Sequence, residues 1–210
     1  MYGIYTGYSK DVNPQKYGGL ASDDFFNVWL KNTRENSSAP VFVVGPDKPP
    51  AFPQYWYGRV KVLDTYPNHG PSENDGKALS GWTTGVLAGL LHAYLHKHDM
   101  IYKEQDCLWY GDPIGELYKQ IENAGIIYGK NKMFGHANSL FLVKHSYIPY
   151  MIHHITDPEK VSRLPEHTFR DLKNSRQFSF GYDRDRPFRN DATWYVQQVS
   201  PAEWPLLPNY

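Results

Sequence analysis

Asp99-Met-Ile-Tyr-Lys-Glu-Gln-Asp-Cys-Leu-Trp-Tyr-Gly-Asp-Pro113 is the segment from which the architecture can be built outward. It predicts a hydrophobic strand from Asp99 to Tyr110, ended by Gly111. Asp112 then caps a helix whose first turn holds Pro113, where the missing N–H has no partner to lose. Ile114, Leu117, Tyr118 and Ile121 recur at helical spacing and give that helix its apolar stripe, and Gly125 closes it. Upstream of the strand, Ser80 to His98 reads as a helix with Trp82, Val86, Leu90, Leu91, Tyr94 and Leu95 along one side. Gly85 and Gly89 sit four apart in it, small enough for close packing against a sheet or a second helix.

The same alternation extends in both directions. Tyr2 to Tyr5 is a short first strand ending in the turn Thr6-Gly7-Tyr8-Ser9. Ser22 caps a helix with Asp23 and Asp24 in its first turn, where carboxylates favour the positive end of the dipole. Phe25, Phe26, Trp29 and Leu30 are its apolar stripe. Ala39-Pro-Val-Phe-Val-Val-Gly45 is a continuous apolar run, the pattern of a strand in a parallel sheet covered on both faces. Tyr57 to Asp64, Ile126 to Tyr128 and Ala137 to Val143 are further strands, a helix is expected near Glu166 to Leu172, and the tail from Phe178 reads as irregular. Strands alternating with helices predict an α/β fold with a mostly parallel central sheet and helices on both faces. Ligands of such sheets sit beyond the carboxyl ends of the strands.

Composition narrows the function. The chain has 210 residues, enough for one domain with a full core. Lys plus Arg equals Asp plus Glu at 22 each, so no global field draws in nucleic acid or an anionic membrane. The single Cys excludes an internal disulfide and a Cys-based zinc site. No apolar stretch is long enough to span a membrane and no signal peptide is visible, so a cytoplasmic protein is expected. The 17 Tyr and 6 Trp suit stacking on sugars or bases as well as simple gap filling. Glycine-rich phosphate loops are absent, which argues against a P-loop or a dinucleotide fold. His92 and His96 are four apart on a helix but lack the glutamate of a zinc hydrolase motif, and His153-His154 is likewise unsupported.

The chemistry concentrates in Glu104-Gln105-Asp106. The strand runs through them, and its period of two puts both carboxylates on one side, with Cβ atoms about 6.5 Å apart. Burying such a pair is costly unless something neutralises it, and a divalent cation would do so. The competing reading is a solvated strand end whose acids pair with Lys103 or an Arg. Cys107 falls on the opposite face and reads as core rather than nucleophile. A second dense segment is Gly181-Tyr-Asp-Arg-Asp-Arg-Pro-Phe-Arg189. Arg184 and Arg186 have the planar forks that grip phosphate, and Asp183 or Asp185 could accept the proton of an acceptor hydroxyl. Asp183-Arg-Asp185 also has acid-x-acid spacing but no hydrophobic strand delivers it, and a self-paired surface loop is the alternative for the whole segment.

The succession of a Lys-led helix (Lys77-Ala-Leu-Ser80 onward), a hydrophobic strand, an acid-x-acid triplet and a later strand bearing Ala137-Asn138-Ser139-Leu140 resembles a GT-A-type glycosyltransferase. The resemblance covers most of residues 1 to 145. Length and single-domain build are also similar to small glycosyltransferases of large DNA viruses, which would place the protein in a host cytoplasm. The resemblance implies Mn²⁺ or Mg²⁺ on Glu104 and Asp106, holding the diphosphate of a nucleotide sugar, taken here as a UDP-sugar. It implies the nucleobase near Thr6, Gly7 and Tyr8 with Asp47 as a polar partner, and phosphate near Lys77, Arg184 and Arg186. Asn138, Ser139, Trp109 and His136 then line the sugar or the glycan or glycoprotein acceptor, with Trp82 read rather as core. Residues 1–110 would form the nucleotide-sugar half of one domain and 111–210 the acceptor half. Two departures stand out: the first acid is Glu rather than Asp, and no His follows His167 to serve as the third metal ligand common in that family. A nucleotidyltransferase acting on sugar phosphates and a non-catalytic carbohydrate-binding protein are the alternatives. The first lacks a basic phosphate loop after the first strand, and the second is usually all-β.

Overall fold

The computed structural model describes residues 1–7, 22–44, 54, 58–63, 81–105, 107–130, 137–157, 168–179 and 195–197. In chain order these form β1 (Tyr2–Gly7), α1 (Ser22–Glu35), β2 (Val41–Val44), β3 (Val60–Leu63), α2 (Gly81–Leu95), β4 (Asp99–Lys103), β5 (Cys107–Trp109), α3 (Pro113–Ile121), β6 (Ile126–Lys130), β7 (Ala137–Val143), α4 (Ile148–Thr156), β8 (Ser175–Ser179) and β9 (Tyr195–Gln197). Seven strands make one sheet in the order β3-β2-β1-β4-β7-β6-β8. All neighbours are parallel except β7, which runs antiparallel to both β4 and β6. The expected α/β fold with a mostly parallel sheet is the fold observed.

Period-two alternation sorts the strand residues onto two covered faces. Ile4, Val41, Val43 and Ile101 join Phe26, Trp29 and Leu30 of α1 and Leu117 and Ile121 of α3 in one core. Tyr5, Phe42, Val44, Met100 and Tyr102 point the other way, onto Val86, Leu90 and Ala93 of α2 and Ile148 and Met151 of α4. Each such fully buried aliphatic or aromatic side chain contributes about 1.5–3 kcal/mol of transfer free energy. The glycines of α2 permit its close approach. A Cβ on Gly85 would touch Val44 Cγ2 at 3.4 Å, and one on Gly89 would meet Met100 Cε at 2.7 Å and Tyr5 Cδ1 at 3.1 Å. Asp112 caps α3 as expected, its carboxylate accepting from Gly115 N at 2.9 Å.

Four expectations need correction. The strand expected from Asp99 to Tyr110 is two strands: β4 stops at Lys103, and β5 pairs with β9 in a separate two-stranded sheet. The stripe assigned to α2 is split, since Leu91, Tyr94 and Leu95 are exposed while Ala93 takes the buried place. The helix ending at Ile121 is closed by Glu122, at φ 46°, rather than by Gly125. Residues 168–171, inside the helix expected near Glu166 to Leu172, form turns, and the helix of this region is α4. Among the described residues no helix is long and apolar enough to cross a membrane.

Candidate functional site at the carboxyl edge of the sheet

The sheet order places a topological switch between β1 and β4: from β1 the chain winds outward through β2 and β3 on one side and returns to β4 on the other. Crevices of this kind, at the carboxyl ends of the strands, are where open α/β sheets take ligands. Tyr5 is in register with Tyr102, so two further residues along each strand bring Gly7 level with Glu104. Lys103 is in register with Leu140 of β7, which brings Ser139 to the same edge and Asn138 one residue beyond it. Thr6, Gly7, Glu104, Asn138 and Ser139, chosen from distant parts of the sequence, therefore gather at one edge of the sheet.

Glu104 is half-buried and extends the antiparallel ladder, its N–H donating to Ser139 O at 2.8 Å. The chain then turns sharply, and Cys107 N donates to Glu104 O at 3.1 Å. Glu104 and Gln105 thus belong to a tight turn at the end of β4, not to a continuing strand, and the same-side argument from period two does not apply to the acids. Gln105, which sequence reasoning passed over as the spacer, holds a buried Oε1 with no hydrogen-bond partner among the described residues. Its position between two acids was the available signal.

Other candidates are placed differently from expectation. Trp109 is fully buried, its ring 4.5 Å from Lys103 Nζ, so it packs inside the protein and does not face a sugar. Ser139 is also fully buried and serves the site through its carbonyl, which accepts from Glu104 N and, at 3.6 Å, from Cys107 Sγ. Thr6 is buried with Oγ1 donating to Gly7 O at 3.1 Å, so its hydroxyl is engaged within β1. Gly7 has little room to spare: a Cβ there would lie 3.1 Å from Tyr102 OH. Trp82 and Cys107 are core, as read from the sequence. Tyr8, Asp47, Lys77, Asp106, His136, Asp183, Arg184, Asp185 and Arg186 lie outside the described residues, as does the side chain of Asn138.

The competing reading paired the acids with Lys103 or an Arg; among the described residues Lys103 takes its partners from α1 instead. Its side chain leaves β4 on the α1 face and is fully buried. Nζ donates to Asn32 Oδ1 at 3.1 Å and Thr33 Oγ1 at 2.8 Å, between the rings of Trp29 at 4.8 Å and Trp109 at 4.5 Å. Desolvation by burial holds the amine well below its usual range. Among the described residues no three His, Cys, Asp or Glu side chains converge on a point that could hold a metal, and Glu104 is the described member of the acid pair. An acid pair completed by Asp106 offers only oxygen ligands, which suit Mg²⁺ or Mn²⁺ rather than a thiolate-seeking metal.

The β1–β4 switch point and the reversed β7 make this a GT-A-like α/β fold. Among solved structures, the chain is similar to galactosyltransferase LgtC in complex with donor and acceptor sugar analogs, with a TM-score of 0.56 and 9% identity over 83% of this chain and 72% of that one. It is also similar to a proposed nucleotide-diphospho-sugar transferase from Desulfovibrio desulfuricans G20, with a TM-score of 0.52 and 10% identity over 85% of this chain and 79% of that one. No protein-family model matches the sequence, and no curated protein sequence matches it.

Proposed function

We propose that the chain is a glycosyltransferase that moves a sugar from a nucleotide-sugar donor, a UDP-sugar, to a hydroxyl of a glycan or glycoprotein. The observation that carries this reading is the acid turn at the end of β4, beside the β1–β4 switch point of a sheet shared with LgtC. Glu104 and Asp106 would hold Mn²⁺ or Mg²⁺. When bound, the ion would offset the negative charge that grows on the departing diphosphate. Arg184 and Arg186 add charge-assisted hydrogen bonds to the same oxygens, and Lys77 is a further phosphate contact. The acceptor oxygen forms the new bond to the anomeric carbon as the bond to the diphosphate breaks. Asp183 or Asp185 takes the acceptor's proton if the configuration inverts. Gln105 Oε1, a buried acceptor without a partner among the described residues, is suited to a hydroxyl of the bound donor.

A thermal-shift screen of UDP, GDP and CMP, each with and without Mn²⁺, tests the reading. A rise in melting temperature with UDP that depends on Mn²⁺, and that Asp106→Asn abolishes, supports it. Stabilisation by glycans with none by any nucleotide would refute it in favour of a carbohydrate-binding role.

A further inference from the structure

We propose that Lys103 and Asn32 are positioning residues that clamp the acid turn to α1, an inference that rests on reading this turn as the metal-bearing element. Strand alternation points Tyr102 at the α2 face and Lys103 at the α1 face, where the lysine reaches Asn32 and Thr33. Asn32 does more than receive it. Its Oδ1 also accepts from Trp109 N at 3.0 Å, and its Nδ2 donates to Trp109 O at 2.9 Å. One side-chain amide therefore brackets the backbone of Trp109 as a neighbouring strand would, and holds Lys103 with the same oxygen. The residue before the turn and the strand after it are both tied to a single point on a helix of the rigid core. The turn's own closing bond, Cys107 N to Glu104 O, lies between these anchors. Moving the turn off this anchor would break the amide bracket or pull the lysine from between two indoles.

The clamp works in either protonation state, since a neutral amine keeps two N–H donors and here meets two neutral acceptors. An apolar chain of similar length would fill the same slot at no desolvation cost, so stability alone does not account for a lysine there. Groups that orient metal ligands without touching the metal typically change affinity by about 10- to 100-fold when removed.

The test uses the full chain and its Lys103→Met, Asn32→Asp and Asn32→Leu variants. UDP affinity with and without Mn²⁺ is measured by calorimetry, melting temperature by scanning, and amide exchange on a peptide spanning residues 104–109. Lys103→Met is expected to melt near the wild-type temperature, bind UDP with Mn²⁺ about ten-fold more weakly, and exchange faster in that peptide. UDP affinity without metal should change less than about two-fold, a split that a general loss of structure would not produce. Asn32→Asp keeps the oxygen that meets Lys103 and Trp109 N–H, and should lose less affinity than Asn32→Leu. A folded Lys103→Met with wild-type exchange and wild-type Mn²⁺-dependent affinity overturns the clamp alone. Should that variant fail to fold, equal affinities of Asn32→Leu and wild type overturn it instead. A wild-type chain that binds no UDP with Mn²⁺ overturns the functional reading and the clamp together.

Discussion

Acid is expected to loosen this fold through one hydroxyl. Tyr5 OH is buried against α2, 2.9 Å from His92 Nδ1 and 2.6 Å from His98 Nε2. A phenol has one proton to donate, so it donates to one imidazole and accepts from the other. Both rings can be satisfied while neutral, but when both carry a proton each contacting nitrogen becomes a donor and the phenol proton has nowhere to go. The surroundings disfavour charge as well. Burial, then His96, His98 and Lys61, push His92 down from 6.5 to about 4. Burial and His96 push His98 down too, against the opposing pull of Asp99, with the amino terminus and His145 adding to the depression.

A folded-state value below the unfolded one means that the unfolded chain takes up the proton first as the pH falls. The contribution is complete above 6.5 and is lost as the pH drops from there toward about 4. For a wholly desolvated ring the shift would amount to about 3 kcal/mol. His92 is only half-buried, and screening by water reduces this to about 1–2 kcal/mol. Urea unfolding at about pH 7.5 and about pH 5 measures it, with His92→Asn as the comparison, because its amide still meets Tyr5 but does not titrate. The variant should lose about 1 kcal/mol less than wild type between the two conditions. Equal losses in the two proteins would refute the argument and move the acid sensitivity to carboxylates elsewhere.

Two glycines should respond to alanine to different degrees. A Cβ on Gly125 would overlap Cγ and Cδ2 of Tyr147 and come within 2.8 Å of its Cβ, and that ring is held by its hydroxyl bond to Lys173 O, so Gly125→Ala should cost about 2–3 kcal/mol in urea unfolding. Gly89→Ala gains helix propensity and meets the flexible end of Met100, but it also crowds the buried Tyr5 ring at 3.1 Å, so it should cost about 1 kcal/mol, less than Gly125→Ala. Asp112→Ala removes the bond to Gly115 N that caps α3 and should lower stability by about 1 kcal/mol in the same assay.

What the sequence conveyed and what it hid divide along the range of the interactions. β1, β2 and α3 were legible because their patterns are local: an apolar run, a stripe at helical spacing, a capping Asp before Pro. β8 was hidden because Ser175-Arg-Gln-Phe-Ser179 has a polar edge-strand composition, with Ser175 half-buried and Arg176 and Gln177 exposed, and becomes a strand only by pairing with β6. α4 begins without a side-chain cap, and Pro149 in its first turn was a local mark of its start that the sequence reading passed over. The acid turn shows the same division within a single segment. Its residue types were readable as a candidate ion site, yet nothing in Ile101 to Tyr110 announces that the strand breaks, since apolar residues resume at Cys107. The break is anchored by Asn32, which reaches Trp109 across 77 positions of sequence and has no local reason to be noticed in α1. The hydrogen bonds that hold Lys103 and the Trp109 backbone on either side of this turn come from Asn32 and Thr33 of α1, residues that a linear reading does not bring together with it.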